Sequence, residues 1–381
     1  MPPKIGIFDP GFDFVGHYVA FNRYFAELIG NDFQLVFLDV AGRMRSAYEN
    51  KIDLKYAPTF IDVTEAPTYS GRLSLRSFFR ISWWRDRLGD LFWYGKAFKN
   101  ISKLDLDLVI INSQRGPFIY LQKPRFPFCL VVGPSALMEA RAELKGLNLV
   151  FAPLYDFFIR KYFSFLGRAK IVFTTNEPSI PLAFHPTVWL PLGLKAFKQE
   201  KTVSKRKFLT IGTISDSKNH LFAINAFEKF NLPFSYLIAG PVMDGTGEEV
   251  KRRVTNSTNP NITGIFKNIT SEYDSLIQES DFLIFPYDLK RGARNSQVVY
   301  DAFRNLTPII APDCEPFKMY VERYGIGLLY KEGDENSFKA TIEKAAVTPK
   351  ENFLEDFKRS YEDLSFEKVR RDFVAHIRAC L

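Results

Sequence analysis

Phe208-Leu-Thr-Ile-Gly-Thr-Ile-Ser-Asp-Ser-Lys218-Asn-His220 is the stretch that decides how this chain is built. Its opening residues are apolar or β-branched without polar alternation, as a strand covered on both faces of a parallel sheet requires. Gly212 closes the strand, a polar loop carries Lys218, and apolar positions from about Leu221 to Phe230 continue as an amphipathic helix. A strand, a tight loop and a helix make the repeating unit of a doubly wound α/β sheet, in which ligands sit beyond the carboxyl ends of the strands. Lys218 falls at such an end, beside a helix N-terminus, where its charge is placed to neutralise a diphosphate. A solvated loop lysine is the competing reading.

The same alternation extends in both directions. Strands are expected at Lys4–Phe8, Phe33–Asp39, Leu108–Asn112, Phe128–Val132 and Lys170–Thr174. A second series follows at Phe208–Gly212, Phe234–Ala239, Asn261–Gly264, Asp281–Pro286, Thr307–Ala311 and Gly327–Tyr330, with helices between them. At 381 residues the chain exceeds the size at which one core keeps growing. We therefore expect two Rossmann-like parallel-sheet domains facing a cleft, at 1–195 and 208–364. The Lys- and Gln-rich stretch 196–207 is the linker, and a last helix at 365–381 packs on one domain or returns to the first.

Composition bounds the class. With 46% hydrophobic and 25% charged residues the chain folds around sizeable cores, and no run of 18 apolar residues exists to cross a bilayer. Met1-Pro2-Pro3-Lys4 enters a strand at once rather than a signal peptide, so a cytoplasmic location is expected. Cys129, Cys314 and Cys380 lie far apart, in number and spacing that suggest neither a disulfide framework nor a zinc site. Almost all of the net charge of +8 belongs to the first half of the chain. Such an excess points to nucleic acid, anionic lipid or a phosphorylated ligand.

In the second half, Asp281-Phe-Leu-Ile-Phe-Pro286-Tyr-Asp-Leu-Lys-Arg291-Gly-Ala-Arg294-Asn295-Ser296 runs from a strand through a loop into a helix. Ser296 is a good N-cap, and the same helix start aims free N–H groups at an anion. Asp301 lies more than a turn further on, where a carboxylate can accept from ribose hydroxyls or simply face solvent. Taken in order, Gly212 to Asn219, Ile238-Ala-Gly-Pro241, Asn261-Ile-Thr-Gly264, Phe285-Pro-Tyr, and Asp301-Ala with Pro308-Ile-Ile-Ala resemble the donor-binding domain of family 4 glycosyltransferases, which have the GT-B fold. The resemblance covers about Phe208 to Glu332. It implies that Lys218 holds the donor diphosphate, that Asp301 stands where a ribose-binding Glu is usual, and that Gly264 to Lys267, with Phe266, border the base. Three positions depart from the pattern: Thr213 replaces an Arg, Ala293 replaces the first acid of a Glu-x7-Glu pair, and Ser296 replaces a loop glycine. Arg291, Arg294 and the Asn295-Ser296 turn are the residues expected to compensate, since Arg offers paired donors to phosphate.

In the first half, Asp9-Pro-Gly11-Phe-Asp13-Phe-Val-Gly16-His17 joins the first strand to a helix with apolar residues at Tyr18, Phe21, Phe25, Leu28 and Ile29. Gly16 allows close approach of a phosphate or sugar and resembles the glycine-rich first loop of GT-B enzymes. His17 is a candidate contact for the transferred sugar or acceptor hydroxyl, with a structural hydrogen bond as the alternative. An inverting reaction would take its general base from Asp9 or Asp13. A retaining one assisted by the leaving diphosphate needs none. Asn112-Ser113-Gln114 and Gly133-Pro-Ser135 close further strands at the same edge, while Asp105-Leu-Asp107 precedes its strand and lies at the wrong end for metal chemistry.

Residues 71–103 carry a local charge of +6, with Arg76, Arg80 and Arg87 among Trp83, Trp84 and Trp93. A second basic-aromatic stretch contains Arg160 and Lys161. Lys or Arg interleaved with Trp and Phe on a helix suits attachment to an anionic membrane surface. Core packing of the aromatics is the alternative, and no RNA-binding motif accompanies them. The expectation is a hexosyltransferase using a UDP- or GDP-sugar without a required metal or cofactor. It would act on a glycan or lipid-linked acceptor at the cytoplasmic membrane face, in cell-surface polysaccharide or glycolipid synthesis. A non-catalytic scaffold of the same fold and a sugar-nucleotide epimerase are the alternatives. A dehydrogenase is not favoured, since Gly-x-Gly-x-x-Gly is missing.

Overall fold

The computed structural model describes residues 2–10, 17–49, 51–65, 81–112, 117–132, 157, 160–174, 187–189, 206–229, 234–288, 296 and 298–381. The chain divides into two compact units, Met1–Pro191 with Val369–Leu381, and Leu192–Lys368.

The first unit contains a parallel sheet of β1 (Lys4–Phe8), β2 (Gln34–Val40), β3 (Thr59–Thr64), β4 (Leu108–Asn112), β5 (Phe128–Val132), β6 (Val172–Thr174) and β7 (Thr187–Trp189). Their order is β3-β2-β1-β4-β5-β6-β7. In the second unit β8 (Arg206–Ile211), β9 (Phe234–Ala239), β10 (Ile262–Ile265), β11 (Phe282–Ile284), β12 (Ile309–Pro312) and β13 (Gly327–Tyr330) are ordered β10-β9-β8-β11-β12-β13. All strand pairs in both sheets are parallel. Each sheet therefore reverses its winding at one place, between β1 and β4 in the first and between β8 and β11 in the second. A crevice opens at such a switch point, outside the carboxyl ends of the strands.

Central strands such as β4, fully buried along Leu-Val-Ile-Ile-Asn, are the continuous apolar runs that the sequence announces. The two strands it does not announce, β3 and β7, stand at opposite edges of the first sheet. Only the last two residues of β3 are buried, because an edge strand is covered less completely, and no apolar run marks it. β8 begins at Arg206, inside the stretch read as linker. Arg206 and Lys207 are polar yet pinned: Lys207 N donates to Asp281 Oδ2 at 2.7 Å, and Arg206 Nε donates to the Ala346 carbonyl at 3.0 Å.

The core of the first unit joins Phe8, Leu38, Tyr94, Phe98, Phe128 and Phe165. The closing helix, Phe366–Arg378, buries Val369, Phe373, Val374 and Ile377, a helical stripe. Phe373 packs on Phe25 and Phe173, with ring centroids 5.5 and 4.6 Å away. Arg370 and Arg378 both pair with Asp32. These contacts place Val369–Leu381 in the first unit, so the chain crosses between the units twice.

Candidate active site

In the second unit the loop after β8 is shaped by a close backbone approach between two glycines. Gly212 has φ +108° and Gly240 has φ +147°; a Cβ on Gly240 would lie 1.9 Å from the Gly212 carbonyl oxygen. Only glycine allows these turns to meet. Asp244 locks the loop from the next turn, accepting from Asp216 N at 3.0 Å through Oδ2 and from Gly247 N at 2.8 Å through Oδ1. A 3₁₀ turn over Asp216–Lys218 and a left-handed Asn219 then lead into the helix His220–Phe227.

This path folds Lys218 back over the strand end. Its Nζ would stand 2.8 Å from a Cβ on Gly212, and it lies 5.8 Å from the centroid of the Tyr287 ring. Tyr287 follows β11, so the ammonium and the ring occupy both sides of the switch point. Tyr287 is buried, its ring edge-on to Phe285 and Phe317, and its hydroxyl donates to Ser296 Oγ at 3.1 Å. His220, fully buried one residue past Asn219, has its imidazole pushed down to about 3, first by burial and then by the charge of Lys218. Lys218 thus brings a cation to the crevice, with a neutral imidazole beside it.

Along the same carboxyl edge, Gly264 of β10 pairs with Ile238 of β9, and Gly240 N donates to the Ile265 carbonyl at 2.9 Å. The Phe266 ring lies across Gly264, where a Cβ would meet it at 2.3 Å. Asp301 is in the first turn of the helix Val298–Arg304. Tyr273 Oη donates to its Oδ2 and Arg304 Nη2 to its Oδ1, each at 2.8 Å. Burial, then the Asp301 charge, holds the Tyr273 phenol well above its ordinary range, so it stays a donor. Arg291, Arg294 and Asn295 lie outside the described residues, as do Asp13 and Gly16.

In the first unit, Asp9 follows β1 at the switch point and is fully buried. Asn22 of the helix His17–Ile29 donates to its Oδ2, and Asn112, at the end of β4, donates to Asn22 Oδ1 at 2.7 Å. A buried chain of carboxylate and two amides thus ties helix, β1 and β4 together. Asn22 escapes a reading of the sequence, because it stands beside Arg23 between Phe21 and Phe25 and only the fold shows that Asn22 is buried while Arg23 is exposed. His17 opens that helix, and its side chain lies outside the described residues. Asp105 and Asp107 are occupied at the opposite edge: Lys4 Nζ pairs with Asp105 at 2.9 Å and Lys4 N donates to Asp107 at 2.8 Å.

Comparison with known proteins bears on this geometry. Residues 194–359, nearly all of the second unit, match the family model "Glycosyl transferases group 1". The second unit is a glycosyl transferases group 1 domain. The whole chain is similar to sucrose-phosphate synthase from Thermosynechococcus elongatus, with a TM-score of 0.67 and 14% identity over 100% of this chain and 99% of that one. Anabaena HepE in complex with UDP matches with a TM-score of 0.67 and 13% identity, over 99% and 100%. The lipopolysaccharide outer core galactosyltransferase WaaB gives 0.64 and 10%, over 99% and 100%. At these identities the likeness establishes the fold, which is the two-domain GT-B fold. A comparison with curated protein sequences gives no significant match. A group 1 domain on this fold makes the chain a glycosyltransferase, and Lys218, Tyr287 and Gly212 sit at the switch point of that domain.

The basic-aromatic segments divide. Trp93 packs inward, stacked on Phe8 and edge-on to Tyr94, with Nε1 donating to the Glu65 carbonyl at 2.7 Å. Tyr162, Phe165 and Leu166 are buried as well. Phe92 is 76% exposed and Phe163 49%, and Arg160 and Lys161 are exposed, with Lys161 Nζ 5.5 Å from the Phe157 ring centroid. Gln122 connects the two segments: its Nε2 donates to the Leu91 carbonyl at 3.0 Å and its own carbonyl accepts from Arg168 at 3.3 Å. Trp83, Trp84 and Arg87 lie on the helix Ile81–Ile101, their side chains outside the described residues, which also exclude Arg76 and Arg80. Among the described residues no helix is long and apolar enough to cross a membrane.

Proposed function

We propose that the chain transfers a hexose from a UDP- or GDP-sugar to a glycan or lipid-linked acceptor at the cytoplasmic face of a membrane, in cell-surface polysaccharide or glycolipid synthesis. The observation that carries the donor half is the position of Lys218, a cation over a glycine turn at the switch point of the group 1 domain. Breaking the bond between the sugar anomeric carbon and the diphosphate oxygen leaves negative charge on the diphosphate, and a preorganised ammonium there stabilises that charge most in the transition state. Asp301 takes the ribose and Phe266 borders the base. Arg291, Arg294 and the Asn295-Ser296 turn add donors to the phosphates, so the scheme draws on no metal. Asp9, buried and hydrogen-bonded to Asn22, ties β1 to the helix His17–Ile29, and Gly16, His17 and Asp13 are the residues assigned to the sugar and acceptor. HepE was solved with UDP and with UDP and glucose, which supports a UDP-sugar as the first donor to test.

The acceptor half is supported by the exposed Phe92, Phe157 and Phe163 beside Arg160 and Lys161, which Gln122 draws toward one region of the first unit. Apolar rings with adjacent cations give the two contributions that interfacial attachment needs. WaaB, an enzyme of lipopolysaccharide outer core synthesis by its name, supports a lipid-linked glycan. The test is nucleotide release from a panel of UDP- and GDP-sugars, with and without lipid-linked acceptor in anionic vesicles. Acceptor-dependent release from one donor supports transfer. Isomerised donor without acceptor indicates an epimerase, and binding with no turnover indicates a scaffold.

A further inference from the structure

Cys129 and Cys380 are 251 positions apart, yet Cys129 Sγ donates to Cys380 Sγ at 3.8 Å. Both are free thiols. Cys129 is fully buried on β5, and Cys380 is partly exposed in the turn after the helix Phe366–Arg378. A disulfide needs about 2.05 Å between the sulfurs. Cys380 lies past the last helical residue, where backbone and side chain can give the remaining approach. From this juxtaposition we infer that Cys129 and Cys380 are a reversible modification site, which a hydroperoxide converts to a disulfide stapling the returning helix to the first sheet.

The chemistry assigns the order of events. Cys380 is the thiol that solvent reaches, and the hydrogen bond from Cys129, then the charge of Lys170, lower it below the ordinary thiol range. The hydrogen bond with Cys380, then burial, keeps Cys129 protonated and slow to react alone. The Cys380 thiolate attacks one oxygen of hydrogen peroxide, the O–O bond breaks, and hydroxide leaves and takes up a proton as water. Cys380 is now a sulfenic acid. Cys129 sulfur, giving up its proton, attacks the Cys380 sulfur; the S–O bond breaks, and the departing hydroxide combines with that proton as a second water. Two thiols are oxidised by two electrons and one peroxide is reduced.

The bond would close a loop containing the entire second unit, and both cysteines belong to the first, where Phe373, Arg370 and Arg378 already dock the same helix. Oxidation therefore reinforces an existing contact. The test treats the full-length protein with hydrogen peroxide, alkylates it in denaturant and maps the cysteines by mass spectrometry. We expect one linked peptide pair containing Cys129 and Cys380, two hydrogens lighter than its parts, with Cys314 still alkylated and the link reversed by dithiothreitol. The oxidised wild type should melt roughly 5 °C or more above the reduced protein, while Cys380→Ser shows no peroxide-dependent rise. Cys380 overoxidised beside an alkylatable Cys129, a link between two chains, or a link that forms only in unfolded protein would each overturn the proposal. So would a linked protein that melts no higher than the reduced one.

Discussion

The Lys218 ammonium lies 5.8 Å from the centroid of the Tyr287 ring, one residue following β8 and the other following β11. Sequence separates them by a whole βαβ succession; the switch point of the sheet brings them together. The ring is fixed by Phe285, Phe317 and Ser296, so it holds the cation where its charge is useful rather than letting it extend into water.

Replacing the ring tests that positioning. A cation over an aromatic face at a partly exposed site contributes about 0.5–1 kcal/mol. Tyr287→Leu should weaken nucleoside diphosphate binding by roughly two- to fivefold. Tyr287→Phe, which keeps the ring and loses only the bond to Ser296, should leave that affinity unchanged. Isothermal titration of both variants checks the difference.

The glycine turns predict a stability effect. Gly240→Ala would put a methyl 1.9 Å from the Gly212 carbonyl oxygen at φ +147°, and the backbone has to shift. A loss of about 1–3 kcal/mol is expected, the range for backbone held in such a region. Urea unfolding of the variant against wild type measures it, and the Gly245→Ala control, where a Cβ meets nothing, should change little.

His220 gives a pH dependence whose sign follows from its depressed value. The folded imidazole titrates at about 3 and the unfolded one near 6.5, so between those values the unfolded chain binds the extra proton. Its contribution to stability is complete above about pH 6.5 and is lost as pH falls toward 3. Across pH 5.5 to 4 the wild type should lose about 1.4 kcal/mol per pH unit more than His220→Gln. Parallel stability curves for the two proteins would count against a buried neutral histidine.

The aromatic residues of the first unit should separate into two kinds. Trp93→Ala removes packing on Phe8 and Tyr94 and should cost about 3 kcal/mol of stability. Phe92→Ser with Phe163→Ser removes two exposed rings, so unfolding should hardly change while sedimentation with anionic vesicles falls by tenfold or more, each buried ring contributing about 1.5–3 kcal/mol.

Much of this architecture is legible in the residues. Strands buried on both faces, such as β4 and β12, declare themselves as apolar runs, and Lys218 after Gly212 marks the switch point. What stays hidden is whatever depends on a partner far along the chain. β3 has no apolar run because it is an edge. Arg206 and Lys207 look like linker because Asp281, which anchors them, is distant in sequence. Trp93 looks like a membrane residue until Phe8 covers it. Cys129 and Cys380 look unrelated because only the returning helix joins them. The donor contacts of Lys218 and Asp301 are read from the resemblance and from placement, which fixes where they stand and leaves what they hold to measurement.

That measurement is calorimetric titration of UDP and GDP into wild type, Lys218→Ala and Lys218→Arg, with unfolding curves for each. A charge-assisted phosphate contact contributes about 1.5–3 kcal/mol, so one nucleotide should bind wild type and lose roughly 10- to 150-fold in affinity on Lys218→Ala. Lys218→Arg should recover part of that loss, and the stability of all three should agree. Equal affinity of wild type and Lys218→Ala for the preferred nucleotide would contradict the assignment of this crevice as the donor site.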